Sequence, residues 1–192
     1  ADFTFDAKYG FRDYRGGGRS SGRETIGRVA AGAVAAKILC RLGIRLTTYT
    51  RSIGDITVPE NCFDLSCIGD NALCMPSVSY AEKAASYLED CMRNHDSAGG
   101  IIECRIDGIP AGIGEPVVDK LDASLSKAIM SIGAVKGVEI GDGFLAARSS
   151  GSTNNDSFYS KDGCIRKKTN HSGGILGGIS DGHAILVRAA VK

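Results

Sequence analysis

The sequence predicts one α+β domain, and three observations carry this prediction. Helical and β-branched segments are mixed along the 192 residues without the strict β-α-β rhythm of a doubly wound sheet. The length suits a single hydrophobic core, so we expect one domain over residues 1–192. Hydrophobic residues make up 43% of the chain and charged residues 23%, with a formal net charge of +1, which excludes a disordered chain and a globally basic nucleic-acid binder.

The first part of the chain predicts a long helix followed by a strand. Ser21 and Glu24 have the S-x-x-E spacing of a capping box, so we expect a helix over residues 21–42. Apolar side chains fall on nearly every face of this helix, which predicts that other elements approach it closely on several sides. After Gly43 the alternating, β-branched run IRLTTYT predicts a strand.

The rest of the chain predicts two further helices and three strands. A second capping box, Ser79 with Glu82, predicts a helix that ends near residue 94. Apolar residues at helical spacing predict another helix over residues 117–132, after the proline- and glycine-rich run DGIPAGIGEP. Strands are expected over residues 101–106, 135–140 and 184–191, and a polar loop over residues 149–157.

Five arginines surround a triple glycine immediately before the first long helix. Through residue 51 the chain carries ten basic and four acidic residues, whereas residues 53–122 carry four basic and thirteen acidic ones. The acidic stretch would repel a polyanion, so a small anion fits better than a nucleic acid. Backbone N–H groups at the helix start, guanidinium groups and the hydroxyls of Ser20 and Ser21 suit a phosphate or carboxylate. The arginines are Arg12, Arg15, Arg19, Arg23 and Arg28.

The alternative for this segment is a solvated basic loop with an ordinary serine cap. Arg23 argues for the anion site, because a cation in the first helical turn is disfavoured unless an anion compensates it. The run GGGRSSGR lacks the Walker spacing, so hydrolysis of a nucleoside triphosphate is not expected.

The other motifs are less specific. GDGFLA matches a dinucleotide fingerprint, but poor helix formers follow it, which favours a tight turn. TNHSGGILGGISDGH could let a planar ligand lie against backbone, or form a plain glycine turn. The three histidines and seven cysteines show no metal-ligand spacing, so we predict no metal site, and reduced thiols indicate a cytoplasmic chain. No apolar run is long enough for a membrane span, so no membrane partner is expected.

Three segments together carry a resemblance to a known family. They are RDYRGGGRSSGRETIGRVAAGAV, GGIIECRIDGIPAGIGEPVVDKLDASLSKAIMSIGAVKGVEIGDGF and TNHSGGILGGISDG. In these segments, and over essentially its whole length, the chain resembles the chorismate synthase family. The resemblance implies a lyase of aromatic amino acid biosynthesis that converts 5-enolpyruvylshikimate 3-phosphate to chorismate and phosphate by a 1,4-elimination requiring reduced FMN. It also implies a homotetramer whose subunits sandwich helices between antiparallel sheets.

The resemblance also implies ligand contacts at particular residues. The substrate would be approached by Ser21 and Arg23. Gly133 stands where the family commonly has Asn, so this position departs from the family's flavin-contacting pair. Lys192 matches the first residue of a K-P-T-x-S flavin loop. The residues expected to contact FMN are Arg19, Ser20, Ser21, Gly133, Ala134, Gly177 and Lys192.

The resemblance further implies that the chain is the central part of a longer enzyme. The family's G-E-S-H-G segment, a histidine that would immediately precede Ala1, and its R-x-D-x-C segment have no counterpart here. These segments carry the family's proton-handling groups, so no catalytic residue is predicted in this chain and little turnover is expected from it alone. The alternative is a binding module that keeps a phosphate or flavin pocket without catalysing a reaction.

Overall fold

The computed structural model describes residues 2–192, and within them the chain forms two compact units. The first unit ends at Leu42 and the second begins at Gly43. The second unit holds all the strands of the described residues, and the first is helical. The prediction of one domain over residues 1–192 stays a prediction.

The first unit contains two helices joined by the glycine-rich loop. Helix α1 spans Asp2–Tyr9. Helix α2 spans Thr25–Arg41, so it begins four residues later and ends one residue earlier than the predicted 21–42. Two short 3-10 turns, Gly18–Ser20 and Gly22–Glu24, precede α2. The helix ends where Gly43 adopts a φ of +81°, a conformation that favours glycine and stops helical propagation.

The expectation that other elements approach α2 closely on several sides stays a prediction. None of its residues is buried among the residues that the structure describes. Ile26, Val29 and Val34 are 69%, 71% and 62% exposed. Because the apolar residues encircle the helix, no single face directs it onto one neighbour.

The second unit is built on a five-stranded antiparallel sheet, which together with its helices confirms the α+β class. The sheet strands are β1 (Arg45–Ile53), β2 (Ile56–Thr57), β3 (Gly100–Asp107), β4 (Val135–Ile140) and β9 (Ile185–Val191). Their order in the sheet is β2-β1-β3-β9-β4. The helices of this unit are α3 (Val78–Arg93), α4 (Leu121–Met130) and the short α5 (Gly151–Asn154). Two small hairpins are formed by β5 (Phe158–Lys161) with β6 (Cys164–Lys167) and by β7 (Ile175–Leu176) with β8 (Ile179–Ser180).

Helix α4 covers one face of the sheet and forms its main core. Ile185 and Val187 of β9 are 0% and 3% exposed, and they alternate with side chains on the opposite face. They pack with Leu121, Leu125 and Ile129 of α4. A second cluster lies at the other edge of the sheet, where Ala81 and Ala84 of α3 pack with Val58 and Met75.

On the opposite face, a row of polar side chains crosses four strands. Tyr49, Glu103, Arg188 and Glu139 are direct cross-strand partners in consecutive pairs. The Tyr49 hydroxyl donates to the Glu103 carboxylate, and Arg188 lies 3.8 Å from Glu103 and 3.4 Å from Glu139. Burial, followed by the bond to Glu103, raises the pKa of Tyr49 above its ordinary value, so the phenol stays protonated as a donor. A one-residue slip would break this row, so it fixes the sheet register.

Several element boundaries differ from the sequence prediction. Ser77, not Ser79, is the cap residue of α3, and its side chain forms no capping hydrogen bond. Helix α4 begins at Leu121 because residues 115–119 fold back on themselves through a bridge between Glu115 and Asp119. Helices α1 and α5 and both small hairpins were not predicted. No helix within residues 2–192 has the length and hydropathy to cross a bilayer.

Replacing Ile185 by Ala is expected to lower the free energy of unfolding by about 2–5 kcal/mol, because it opens a cavity beneath α4. Urea denaturation monitored by circular dichroism measures the change. Ile165→Ala, at a strand position that is 74% exposed, is the matched control and should stay within about 0.5 kcal/mol of wild type. Equal losses in the two variants would contradict the assigned core.

Candidate functional site

The loop before α2 is shaped by its own glycines and serines. The Ser20 hydroxyl donates to the Gly17 carbonyl over 2.6 Å. The Ser21 hydroxyl accepts from the backbone N–H of Arg23 over 3.3 Å, while the backbone N–H of Ser21 donates to the Gly18 carbonyl. Gly18 has a φ of +53°, which glycine adopts without strain. The loop is therefore a pair of 3-10 turns that places both hydroxyls immediately before α2.

The predicted capping box between Ser21 and Glu24 is not formed. The Glu24 carboxylate accepts from Arg19 Nη1 over 3.0 Å and does not reach the Ser21 N–H, which Gly18 already satisfies. The backbone N–H of Glu24 instead donates to the Ser21 carbonyl, which closes the 3-10 turn. Helix α2 consequently begins one residue after Glu24.

The arginines of this loop differ in their availability. Arg12 pairs with Asp2 and Asp6, and Arg15 pairs with Asp13. Arg19 is 89% exposed and, among residues 2–192, pairs only with Glu24. The side chain of Arg23 is exposed and has no polar partner among residues 2–192.

A ligand can replace the carboxylate partners of these exposed arginines with little loss of free energy. An exposed pair such as Arg19 with Glu24 contributes only about 0–1 kcal/mol. A doubly charged phosphate makes a stronger charge-assisted hydrogen bond to a guanidinium than a solvated carboxylate does. The predicted anion-binding residues Arg19, Ser20, Ser21 and Arg23 thus lie together in one exposed loop.

A cavity of about 500 Å³ opens beside this loop within the first unit. Its wall includes Ser20, Arg12 and the rings of Phe5, Tyr9 and Phe11. This volume lies in the range of small-molecule sites, which combine apolar walls with a few polar groups. The aromatic residues were missed in the sequence analysis, although the i, i+4 spacing of Phe5 and Tyr9 on α1 was a signal for them.

In the second unit, the pairing of β4 with β9 brings two predicted flavin contacts together. The backbone N–H of Lys192 donates to the Ala134 carbonyl over 3.0 Å, and Gly133 immediately precedes Ala134. The Lys192 ammonium group donates to the Ser97 carbonyl over 2.6 Å. This contact holds the charged group of Lys192 at the end of the sheet, beside Ala134.

Gly177 lies elsewhere in the second unit, at the turn between β7 and β8. No described hydrogen bond links it to Ala134 or Lys192. Its φ is +59°, and no atom lies within 4 Å of the position that a Cβ would occupy. Gly133 is similarly open, whereas a Cβ on Gly178 would meet the Lys120 side chain at 2.5 Å. Gly133 and Gly177 therefore present backbone that a ligand can approach.

A buried polar cluster, which the sequence analysis missed, surrounds Lys167 next to the glycine-rich segment. The Lys167 side chain is 0% exposed, and its ammonium group lies 2.6 Å from Asp181 and 3.1 Å from Asp156. Asn170 and Ser172 supply two more oxygens at 2.9 and 2.8 Å. The signal available in the sequence was a lysine at the end of a short strand, followed by the polar run TNHS.

Hydrogen bonds hold both carboxylates of this cluster in the ionised form. Burial alone would raise the pKa of Asp156, but donation from the Ser172 N–H, the Thr169 hydroxyl and the His171 N–H lowers it well below its ordinary value. For Asp181, burial also acts to raise the pKa, and hydrogen bonds from Lys167 and the His183 N–H lower it overall.

Two histidines also have assigned partners here. His171 Nδ1 lies 2.7 Å from Asp142 Oδ2. His183 Nε2 accepts from the backbone N–H of Lys167 over 2.9 Å, so its proton resides on Nδ1, facing Asp181. Both rings thereby tie the glycine-rich segment to neighbouring turns.

Comparison with known proteins identifies relatives across the whole chain. The family model for chorismate synthase matches residues 1–192. The chorismate synthase of Agathobacter rectalis is 62% identical over 192 residues, covering 100% of this chain and 52% of that protein. The chorismate synthase of Lachnoclostridium phytofermentans is 63% identical over 193 residues, covering 100% of this chain and 53% of that protein. The chain spans about half the length of these curated relatives.

A solved structure supports the same relationship in three dimensions. It is described as the crystal structure of chorismate synthase, and it is 33% identical in sequence, with a TM-score of 0.91. The match covers 100% of this chain and 62% of that chain. The similarity therefore includes the fold of the described residues as well as the sequence motifs.

The Lys167 cluster is expected to make the free energy of unfolding depend on pH in the acid range. Because the folded pKa values of Asp156 and Asp181 are depressed, their contribution is complete above the unfolded pKa of about 4 and is lost as the pH falls through the folded values. Asp156→Asn should lower the free energy of unfolding at pH 7 by about 3 kcal/mol, and the difference should shrink between about pH 4 and pH 2.

Denaturation at a series of pH values measures this difference. Asp162→Asn, at an exposed position in the β5–β6 turn, is the control and should give a pH-independent offset near zero. A constant difference between Asp156→Asn and wild type across the acid range would contradict the ionised cluster.

Proposed function

The chain belongs to the chorismate synthase family, and on this basis we propose that the protein converts 5-enolpyruvylshikimate 3-phosphate to chorismate and phosphate. The reaction is a 1,4-elimination in aromatic amino acid biosynthesis, so the protein acts as a carbon-oxygen lyase. The observation that carries the proposal is the family match over all 192 residues, with 62% identity to the curated relative from Agathobacter rectalis. The substrate is a small phosphorylated molecule, which suits the arginine and serine loop better than a nucleic acid does.

The residues present also fit reduced FMN as the cofactor. Two predicted contacts, Gly133 and Gly177, have open backbone faces that a planar ring could approach. Lys192 supplies a cation, and Arg19 with Ser20 supplies donors for a phosphate group. When bound, reduced FMN supplies electron density that promotes loss of the substrate phosphate. We propose FMN contacts for each unit separately: Arg19, Ser20 and Ser21 in the first unit, and Gly133, Ala134, Gly177 and Lys192 in the second.

The start of α2 would bind the phosphate of the substrate. Arg23 carries a guanidinium group without a polar partner among residues 2–192, at the positive end of the helix dipole. Ser21 lies two residues away, and its hydroxyl can turn from the Arg23 N–H towards an incoming oxygen. A guanidinium there would also stabilise the negative charge that develops on the departing phosphate.

Proton handling is the part of the reaction for which the loop offers no group of its own. Residues 1–94 contain no histidine. Asp6, Asp13 and Glu24 are each paired with an arginine. We therefore propose that the 192 residues bind ligands and that turnover requires groups that this loop does not carry. A binding module without catalysis is the second candidate function, and the same observation favours it.

The assembly and location follow as proposals from the family. We propose a homotetramer, and the exposed apolar surface of α2 supports it because such surfaces mark interaction sites. We propose a cytoplasmic location, and the seven free cysteines support it because disulfides are rare in reducing compartments.

Arg19→Ala and Arg23→Ala are expected to weaken ligand binding about tenfold or more, because each removes a charge-assisted hydrogen bond worth about 1.5–3 kcal/mol. Titration of the chain with FMN in the presence of 5-enolpyruvylshikimate 3-phosphate measures the affinity by flavin fluorescence. Arg93→Ala is the matched control, since Arg93 is also exposed and paired with one carboxylate. Unchanged affinity in Arg19→Ala and Arg23→Ala would contradict the proposed site.

The 192-residue chain alone is expected to form no measurable chorismate with reduced FMN, because removing proton-transfer groups costs about 10²–10⁴ in rate at each step. Anaerobic incubation followed by detection of chorismate absorbance tests this expectation. A full-length relative, such as the enzyme from Agathobacter rectalis, serves as the positive control. Turnover by the chain at the rate of that control would overturn the proposal that turnover requires groups that the loop does not carry.

A further inference from the structure

The ammonium group of Lys167 is held in a cage of four oxygens. Asp181 and Ser172 contribute at 2.6 and 2.8 Å, and Asn170 and Asp156 contribute at 2.9 and 3.1 Å. The Asp156 and Asp181 side chains are only 2% and 7% exposed. An ammonium group has three donors for these four oxygens, so one donor is shared, and its positive charge lies between the two buried carboxylates.

The cage joins the two ends of the segment that contains β7 and β8. Asn170 and Ser172 precede β7, and Asp181 follows β8. Asn170 strengthens the closure, since its amide nitrogen donates to the Ala184 carbonyl over 2.8 Å and its oxygen accepts from the Gly174 N–H over 2.9 Å. The entry and exit of the hairpin are thus bound to one buried charge.

The hairpin itself has little internal support. Its ladder consists of two residue pairs, Ile175 with Ser180 and Leu176 with Ile179. A two-stranded hairpin is marginal on its own in water. The β8 side has separate anchors, because Ser180 bonds to Pro110 and Ile113. On the β7 side, the carbonyls of Gly173 and Gly174 accept from the backbone N–H groups of Leu186 and Asp181. The side-chain anchors of this side come from the Lys167 cage and Asn170.

We propose that Lys167 is a positioning residue, which clamps the β7–β8 turn and thereby holds the open backbone face of Gly177 towards a planar ligand. The identity of that ligand as FMN rests on the proposed function. The Lys167 side chain has no exposed surface and cannot touch the ligand itself, so it acts through the turn. At Gly177, in contrast, no described atom beyond its chain neighbours lies within 4 Å of the position that a Cβ would occupy. The clamp reduces the number of turn conformations that compete with the binding-competent one.

Lys167→Met tests the clamp, because it keeps the length of the side chain and leaves the two carboxylates uncompensated. Ser172→Ala is a milder second variant, which removes one oxygen of the cage and leaves its three charged groups in place. Val58→Ala is the control, since Val58 lies in the other core cluster, where its substitution lowers stability without touching the hairpin. All chains are compared at pH 7 and at a temperature where each is fully folded.

Hydrogen exchange measured by mass spectrometry is the first readout. In Lys167→Met, amides of residues 170–177 should exchange at least tenfold faster than in wild type, and in Ser172→Ala about threefold faster. Residues 100–107 of β3 should be unchanged in both. Val58→Ala should leave residues 170–177 unchanged. The proposal would be overturned if residues 170–177 exchanged at the wild-type rate in Lys167→Met. It would also be overturned if they exchanged as fast in Val58→Ala as in Lys167→Met.

The affinity for FMN is the second readout. We expect the dissociation constant to rise at least tenfold in Lys167→Met and about threefold in Ser172→Ala, and to stay within twofold of wild type in Val58→Ala. Faster exchange with unchanged FMN affinity would overturn the positioning role. A wild-type chain that binds no FMN would contradict the proposed function, and the exchange pattern would then decide on the clamp by itself.

Discussion

The insertion of β9 between β3 and β4 is the constraint on which the second unit depends. This strand lies near the far end of the sequence, yet it completes the sheet and forms its core through Ile185 and Val187. The same pairing sets Arg188 between two glutamates on the opposite face and brings Lys192 beside Ala134. Because side chains alternate along a strand, one register satisfies the apolar face, the polar face and the sheet end together.

Buried charges give the second unit its specific shape. Burying an ion without a partner is strongly unfavourable, so each buried charge restricts the structure to arrangements that compensate it. Glu103 contacts Tyr49 of β1 and Arg188 of β9. Lys167 contacts Ser172 before β7 and Asp181 after β8. In both places the chain can satisfy the charge only when distant segments have reached their native positions.

The proposed ligand-binding groups have the opposite character. Arg19 is exposed and weakly paired, Arg23 is exposed and has no polar partner among residues 2–192, and Gly177 is open on one side. Such groups can change partners at little cost, which suits binding and release of a phosphorylated molecule. In the proposed clamp, the buried Lys167 charge fixes the β7–β8 turn, and the backbone of Gly177 in that turn stays open for contact with a ligand.

The sequence by itself determined the α+β class, the strands β1, β3, β4 and β9, and the family, because local periodicity and contiguous motifs carry this information. It also located the serines and arginines before α2, since these residues are neighbours in the chain. It did not predict the Lys167 cluster, whose members come together only when the segments around residues 156, 170 and 181 meet. The missing capping box at Ser21 has the same origin, because the spacing of Ser21 and Glu24 could not reveal that Arg19 would bind the carboxylate. Only the tertiary structure decided these contacts, because a buried or shared charge is assigned by distance in space and not by spacing in the chain.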